Sequence, residues 1–319
     1  MSVSQNIKRT LSKRIKHLKL LVFHSKQLSF KSSPKKRIII CFNGLLPHGG
    51  MVDRLKGIIS FYDIAKILDY DFFIQFDTPF KLAMFLEPNE VPWQMNREAI
   101  KYHPLKTKVV YLVNDFSCNP LQLIQSSKAE TYIVYANIDY SSAMYPEWTT
   151  QEKEAHWRRN FNALFKKSAF LNHQLKGIED EKYIALHTRF TSLMGDFKDT
   201  TTLILDTEER ETLMDALRQK ITGILEATPF KCYVFSDSIR FLEYIKDKEP
   251  VCVLEGHPFH MDDFAGNTAI AAHLKTLLDF FMIVESEAVY FLKCGNMYHS
   301  SFSKYAAIIG NKPFKTITN

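Results

Sequence analysis

The sequence predicts an α/β protein of two successive doubly wound domains facing one another across a cleft, and three observations carry that prediction. Short apolar runs rich in Ile, Val, Phe and Tyr alternate with longer stretches of helical periodicity, the order of parallel sheets flanked by helices. The alternation occurs twice, on either side of a polar stretch of helical character at 149–177. The chain also has 319 residues, and single hydrophobic cores stop growing near about 250–300 residues.

The first element is a basic arm. Residues 1–37 hold 11 Lys and Arg and no Asp or Glu, whereas the remainder carries 30 basic against 35 acidic residues. The formal charge of +6 therefore comes from this segment alone, and the balance elsewhere argues against nucleic acid as a partner. Ile7, Leu11, Ile15, Leu18 and Val22 recur at helical spacing among the basic residues. Residues 1–36 are expected to form a separable amphipathic arm, suited to an anionic membrane surface or to packing on the protein.

The first domain is expected over 37–165. "RIIICFNG" at 37–44 reads as a buried strand, and "LKGIISFYDIAKIL" at 55–68 as a helix. "DFFIQF" at 71–76, "KVVYLV" at 108–113 and "TYIVYAN" at 131–137 are further strands. The helical stretch opening at "TTQEKEAHW" leads into a second domain over 166–319. There, strands at 182–190, 231–238, 251–256 and 288–294 alternate with helices at 207–227, 269–286 and 300–310 and a short helix at "FLEYIKD". Both domains read as Rossmann-like.

Five widely spaced cysteines give no disulfide framework or zinc pattern and fit a reducing, cytoplasmic setting. The N-terminus lacks the apolar core and cleavage site of a signal peptide, and no apolar run is long enough to span a bilayer. No His, Cys or acidic cluster has metal-ligand spacing.

Ligands of open α/β sheets sit beyond the carboxyl ends of the strands. Four polar clusters fall there: Gly49–Arg54, His187-Thr188-Arg189, Ser236-Asp237-Ser238 and His299–Ser303. Arg189 offers a planar fork of donors that matches phosphate oxygens; the alternative is an ion pair with Asp196 or Asp199. Ser300, Ser301 and Ser303 open a helix whose terminus favours an anion, or they simply cap it. Asp237 suits a base, a sugar or a turn, and His187 a base or the loop itself. The Gly49-Gly50 loop matches neither dinucleotide nor P-loop spacing. Asp53 is a candidate general base and Arg54 a second cation, with capping of the following helix as the alternative.

Together these residues resemble the GDP-fucose-dependent fucosyltransferase superfamily, which includes nodulation, α1,2-, α1,6- and protein O-fucosyltransferases. "HTRF" followed by "GD" is similar to its His-x-Arg motif, and "VFSDS" to its second. "LLDFFMIVESEAVYFLKCGNMYHSSFSKYAAIIGNKP" is similar to its third, and "GGMVDRLKGIISFYDIAKIL" to its Gly-rich loop and helix. Phe190 stands where several families carry a second arginine, and "SFSKYA" lacks a Trp-Trp pair.

The resemblance implies a GT-B architecture and an inverting, metal-independent transfer of fucose from GDP-fucose to a glycan hydroxyl, with no further cofactor. It implies an N-terminal acceptor domain and a C-terminal donor domain. Arg189 would hold the β-phosphate, with His187 beside the nucleotide and Asp237 and Asp279 near the guanosine. Ser300, Ser301 and Phe302 would form the phosphate-binding turn, and Gly49, Gly50 and Arg54 would complete the donor contacts. The basic arm would suit an enzyme of surface polysaccharide or glycolipid synthesis, peripheral to a membrane at its cytoplasmic face. Alternatives are a transferase for another nucleotide sugar and a catalytically silent sugar-nucleotide-binding subunit.

Overall fold

A computed structural model describes residues 3–177, 181–198, 201–262 and 270–318, without the side chains of 3–9 and 271–272. Asp199 and the side chain of Ile7 lie outside the described residues. The chain divides into two compact units, Met1–Lys166 and Lys167–Asn319.

In the first unit, helix α1 (Val3–Ser25) precedes β1 (Arg37–Phe42), α2 (Met51–Leu68) and β2 (Asp71–Phe76). A short strand β3 (Leu86–Pro88), β4 (Thr107–Leu112), α3 (Pro120–Gln125), β5 (Thr131–Ala136), α4 (Ser141–Met144) and α5 (Thr150–Leu164) follow. The sheet runs β2-β1-β5-β4, and its three strand pairs are parallel. Its strands read as near-continuous apolar runs because both faces are covered. Gly57 of α2 makes a close approach: a Cβ there would meet the Ala136 carbonyl oxygen at 2.3 Å.

The arm is not separate from this unit. Leu20 of α1 is fully buried against Ile39, Val109 and Ile133. His24 Nε2 lies 2.8 Å from the Tyr135 hydroxyl, and His17 Nε2 lies 3.0 Å from the Val109 carbonyl. Lys13 pairs with Asp115. The side of α1 that packs inward mixes Leu20 and Leu21 with these polar residues, and the expected apolar stripe faces out: Leu11, Ile15, Leu18 and Val22 are 53–60% exposed.

The second unit contains α6 (Ala169–Leu175), β7 (Tyr183–Thr188), α7 (Thr207–Glu226), β8 (Lys231–Ser236), α8 (Ile239–Lys248), α9 (Ile270–Glu285), β9 (Val289–Leu292), α10 (Phe302–Gly310) and β10 (Phe314–Ile317). A three-residue strand β6 (Phe165–Lys167), against β3, breaks the helical stretch expected at 149–177. The sheet order is β10-β9-β7-β8, again with parallel pairs. The strand expected at 251–256 is reduced to a single bridge from Cys252 to Tyr233, and β10 supplies the fourth strand instead. From β7 the chain passes to β8 on one side, then returns to β9 on the other. That reversal puts a topological switch point at β7 and β9, where open α/β sheets bind ligands.

Candidate functional site

β7 is buried along its whole length, so its last side chains are fixed by the core before they reach the sheet edge. Its register sets Thr188 opposite Ser236 of β8 and Leu292 of β9, so the carboxyl ends of three strands are level. Thr188 Oγ1 donates to Ser236 Oγ at 3.0 Å, tying two of those ends together.

Arg189 is the next residue. Its Nε lies 3.2 Å from Asp237 Oδ2, its guanidinium stands 4.6 Å from the centre of the Phe197 ring, and its side chain keeps 20% exposure. Asp237 is buried and also accepts from the amides of Phe190 (2.8 Å) and Thr191 (2.7 Å). Thr191 adopts a left-handed conformation at φ 57°, which aims its amide at the carboxylate. Burial raises the Asp237 pKa, while Arg189 and the two amides pull it down. Asp237 is therefore turned inward: it holds the loop after β7 and orients Arg189.

Asp196, the alternative partner for Arg189, instead accepts from Ser238 Oγ and the Arg240 amide, both at 2.8 Å, and closes the start of α8. Ser238 is the N-cap of that helix, its side chain accepting from the Phe241 amide.

His187 Nδ1 lies 2.9 Å from Ser303 Oγ of α10. Its ring packs between Phe291 and Phe302, with centroids 5.5 Å away in each case. Burial, with the neighbouring Arg189 charge, lowers its pKa to about 3, so the imidazole is neutral. The contact joins β7 to α10 across the switch point. Ser300 Oγ accepts from the Phe302 amide at 3.2 Å, and Ser301 is the N-cap of α10 without a side-chain cap bond. The amino end of α10 thus stands at the same sheet edge as Arg189, where helix dipole and backbone donors favour an anion.

Asp279 is buried on α9 and paired with the buried Lys275 one turn earlier. Burial raises its pKa, opposed by that lysine. Lys275 was not singled out from the sequence; a Lys four residues before an Asp within an apolar helix was its signal. Phe280 links α9 to the site through a 5.2 Å edge contact with Phe302.

Gly49, Gly50, Asp53 and Arg54 belong to the first unit. Gly49 has φ +83°, and a Cβ there would meet Asp53 Oδ2 at 2.6 Å, so the loop needs glycine. Asp53, in the first turn of α2, is 41% exposed at its side chain and pairs with Lys56 at 3.1 Å. Arg54 is only 2% exposed. It donates to the carbonyls of Gly49 (3.2 Å) and Thr78 (2.6 Å) and lies over the rings of Phe42 and Phe76. In the structure this arginine braces the loop.

A surface cavity of about 500 Å³ on the first unit is lined by Tyr62, Lys66, Tyr70 and Phe72 among others. It adjoins the amino end of β2, the opposite end from that at which such sheets bind ligands. Among the described residues, no three His, Cys, Asp or Glu side chains converge on a metal position.

Solved structures with this fold decide the comparison. The α-1,6-fucosyltransferase NodZ soaked with GDP-fucose matches with a TM-score of 0.53 and 15% identity, over 86% of this chain and 92% of NodZ. The chain is similar in fold to NodZ. The same enzyme co-crystallised with GDP matches with a TM-score of 0.52 and 16% identity over the same shares. The selenomethionine form from Bradyrhizobium gives a TM-score of 0.51 and 15% identity, again over 86% and 92%. No family model matches the chain, and no curated protein matches it by sequence.

Proposed function

We propose that this protein is an inverting, metal-independent glycosyltransferase of the GT-B type that transfers fucose from GDP-fucose to a glycan hydroxyl, in surface polysaccharide or glycolipid synthesis. One observation carries the reading. Arg189 is held by Asp237 at the carboxyl end of β7, level with the amino end of α10, in a fold shared with an enzyme crystallised with GDP and GDP-fucose. The second unit would be the donor domain and the first the acceptor domain.

In this reading Arg189 binds the β-phosphate, and Ser300, Ser301 and Phe302 supply the turn that completes the anion site. His187, neutral and bonded to Ser303, sets that turn beside the nucleotide. Asp237 and Asp279 act from within, by holding Arg189 and Lys275. As the acceptor oxygen bonds to the anomeric carbon, the bond to the phosphate oxygen breaks and GDP leaves with its electron pair. Fixed cationic and dipolar donors stabilise that charge without a metal. The acceptor proton goes to a general base, for which Asp53 is the candidate on the first unit. An acceptor on a lipid carrier would suit the basic arm.

The Arg189 and α10 pair recognises a diphosphate and not the sugar, so a transferase for another nucleotide sugar is the second reading. GDP release from GDP-fucose, measured with and without glycan acceptors and with excess EDTA, tests the proposal. EDTA-resistant, acceptor-dependent release supports it. Release only from another nucleotide sugar favours the second reading, and GDP binding without turnover indicates a silent binding subunit.

A further inference from the structure

We infer that the outer face of α1 is a docking surface for an anionic lipid bilayer, with the helix lying along the surface. An amphipathic helix packed on a globular body ordinarily turns its apolar stripe toward the core. Here the arrangement is reversed. Leu20 and His24 on one side anchor the helix to the sheet, while Leu11, Ile15, Leu18 and Val22 form a continuous stripe on the other and are 53–60% exposed.

Further apolar residues are exposed just beyond the helix. Leu28 (52%) and Phe30 (72%) lie in the segment that leaves α1, and Leu105 (89%) in the loop that this segment bonds through Tyr102 and His103. Scattered apolar residues on a surface are ordinary; a contiguous outward stripe on a helix is not.

Charge selects the occupant. Residues 1–37 carry 11 basic and no acidic residues, and Arg14 and Lys19 flank the stripe at helical spacing. An apolar stripe between cations is the form that sinks to the acyl boundary of an anionic leaflet and leaves its charges among the headgroups. No helix among the described residues is long and apolar enough to cross a membrane, so α1 would lie on the bilayer and not span it. Because the inner side of α1 is already packed, the helix is formed before it meets lipid and binding need not order it. The inference stands independently of the transferase reading.

The test is co-sedimentation of the full chain with vesicles of phosphatidylcholine alone and with 30 mol% phosphatidylglycerol, at low and high salt. Wild-type protein is expected to bind the anionic vesicles, more weakly in high salt. Ile15→Glu with Leu18→Glu should lower that partition at least about tenfold, since two apolar side chains that would enter the lipid are replaced by charges at an anionic surface. Arg14→Gln should lower it about fivefold on anionic vesicles and leave neutral ones unaffected. All variants should melt like wild type, because these side chains face solvent. Absence of vesicle binding by wild type, or unchanged binding by the double variant, overturns the inference. So does a wild-type dimer that the double variant converts to monomer without lipid, since the occupant is then a second copy of this chain.

Discussion

Arg189 Nε sits 3.2 Å from Asp237 Oδ2, and that one carboxylate also receives the amides of Phe190 and Thr191. The loop after β7 and its arginine are therefore held by a single buried acid on the neighbouring strand end. Asp237→Ala should cost about 3–5 kcal/mol, the range for breaking a buried pair by removing one partner. Urea denaturation checks this; a loss below about 1 kcal/mol would show that the loop holds itself.

Arg189→Ala should lower kcat on the order of 10²–10³-fold, as for loss of one fixed donor to transition-state charge. Arg189→Lys should recover little, because an ammonium cannot pair with Asp237 and also present a planar fork to phosphate. The measurements are GDP binding by calorimetry and turnover of GDP-fucose. Normal values in folded Arg189→Ala would remove the arginine from the site.

A pH dependence of stability follows from three of the buried histidines. Burial lowers the pKa of His24 to about 4 and those of His48 and His187 to about 3, with Arg97, Arg54 and Arg189 adding to the effect in turn. Unfolded histidines titrate near about 6.5, so below that pH the unfolded chain binds more protons than the folded one. Their contribution is whole above pH 6.5 and is lost as pH falls toward about 4 for His24 and about 3 for the others. The slope is about 1.4 kcal/mol per pH unit for each histidine. Asp237 and Asp279, raised by burial, act in the opposite sense. Comparing wild type with His187→Gln between pH 7 and 5 isolates one histidine: the variant should lose less stability on acidification. Parallel curves would show that His187 is protonated in the folded state.

Leu20→Ala should destabilise the first unit by about 2–5 kcal/mol, and Leu18→Ala should barely change it, although the two leucines are two residues apart. Thermal unfolding distinguishes them. Equal effects would mean that α1 is not anchored by its Leu20 side.

Gly57→Ala should be costly for the opposite reason, since the new methyl would lie 2.3 Å from the Ala136 oxygen and α2 must move off β5. Overpacking of this kind costs about 1–3 kcal/mol. A melting temperature unchanged from wild type would contradict the close approach.

Much of the fold could be read from the chain because buried parallel strands leave a plain trace. "DFFIQF" corresponds to β2, while "RIIICFNG" and "KYIALHTRF" contain β1 and β7 and overrun them by two or three residues. The residues at the switch point were legible for a related reason: an Arg after a buried strand is conspicuous. What could not be read was direction. Periodicity marked the stripe on α1 but not which side meets the sheet, because the anchors are Leu20 and polar contacts to residues 92–111 positions away. Likewise, "GGMVDR" shows an arginine without showing that Arg54 turns back to the Gly49 and Thr78 carbonyls. The weak strand at 251–256 failed because local β character does not determine whether a neighbour is there to pair.

The anchoring of α1 also sets an order of events during synthesis. His24 must wait for Tyr135, which is 111 residues further along the chain. At about 5–20 residues per second, the helix leaves the ribosome roughly 6–20 s before β5 is complete. Throughout that interval both of its sides are bare, the stripe and the Leu20 side alike. A nascent chain in this state is a client for whatever surface it meets first, a chaperone or a bilayer.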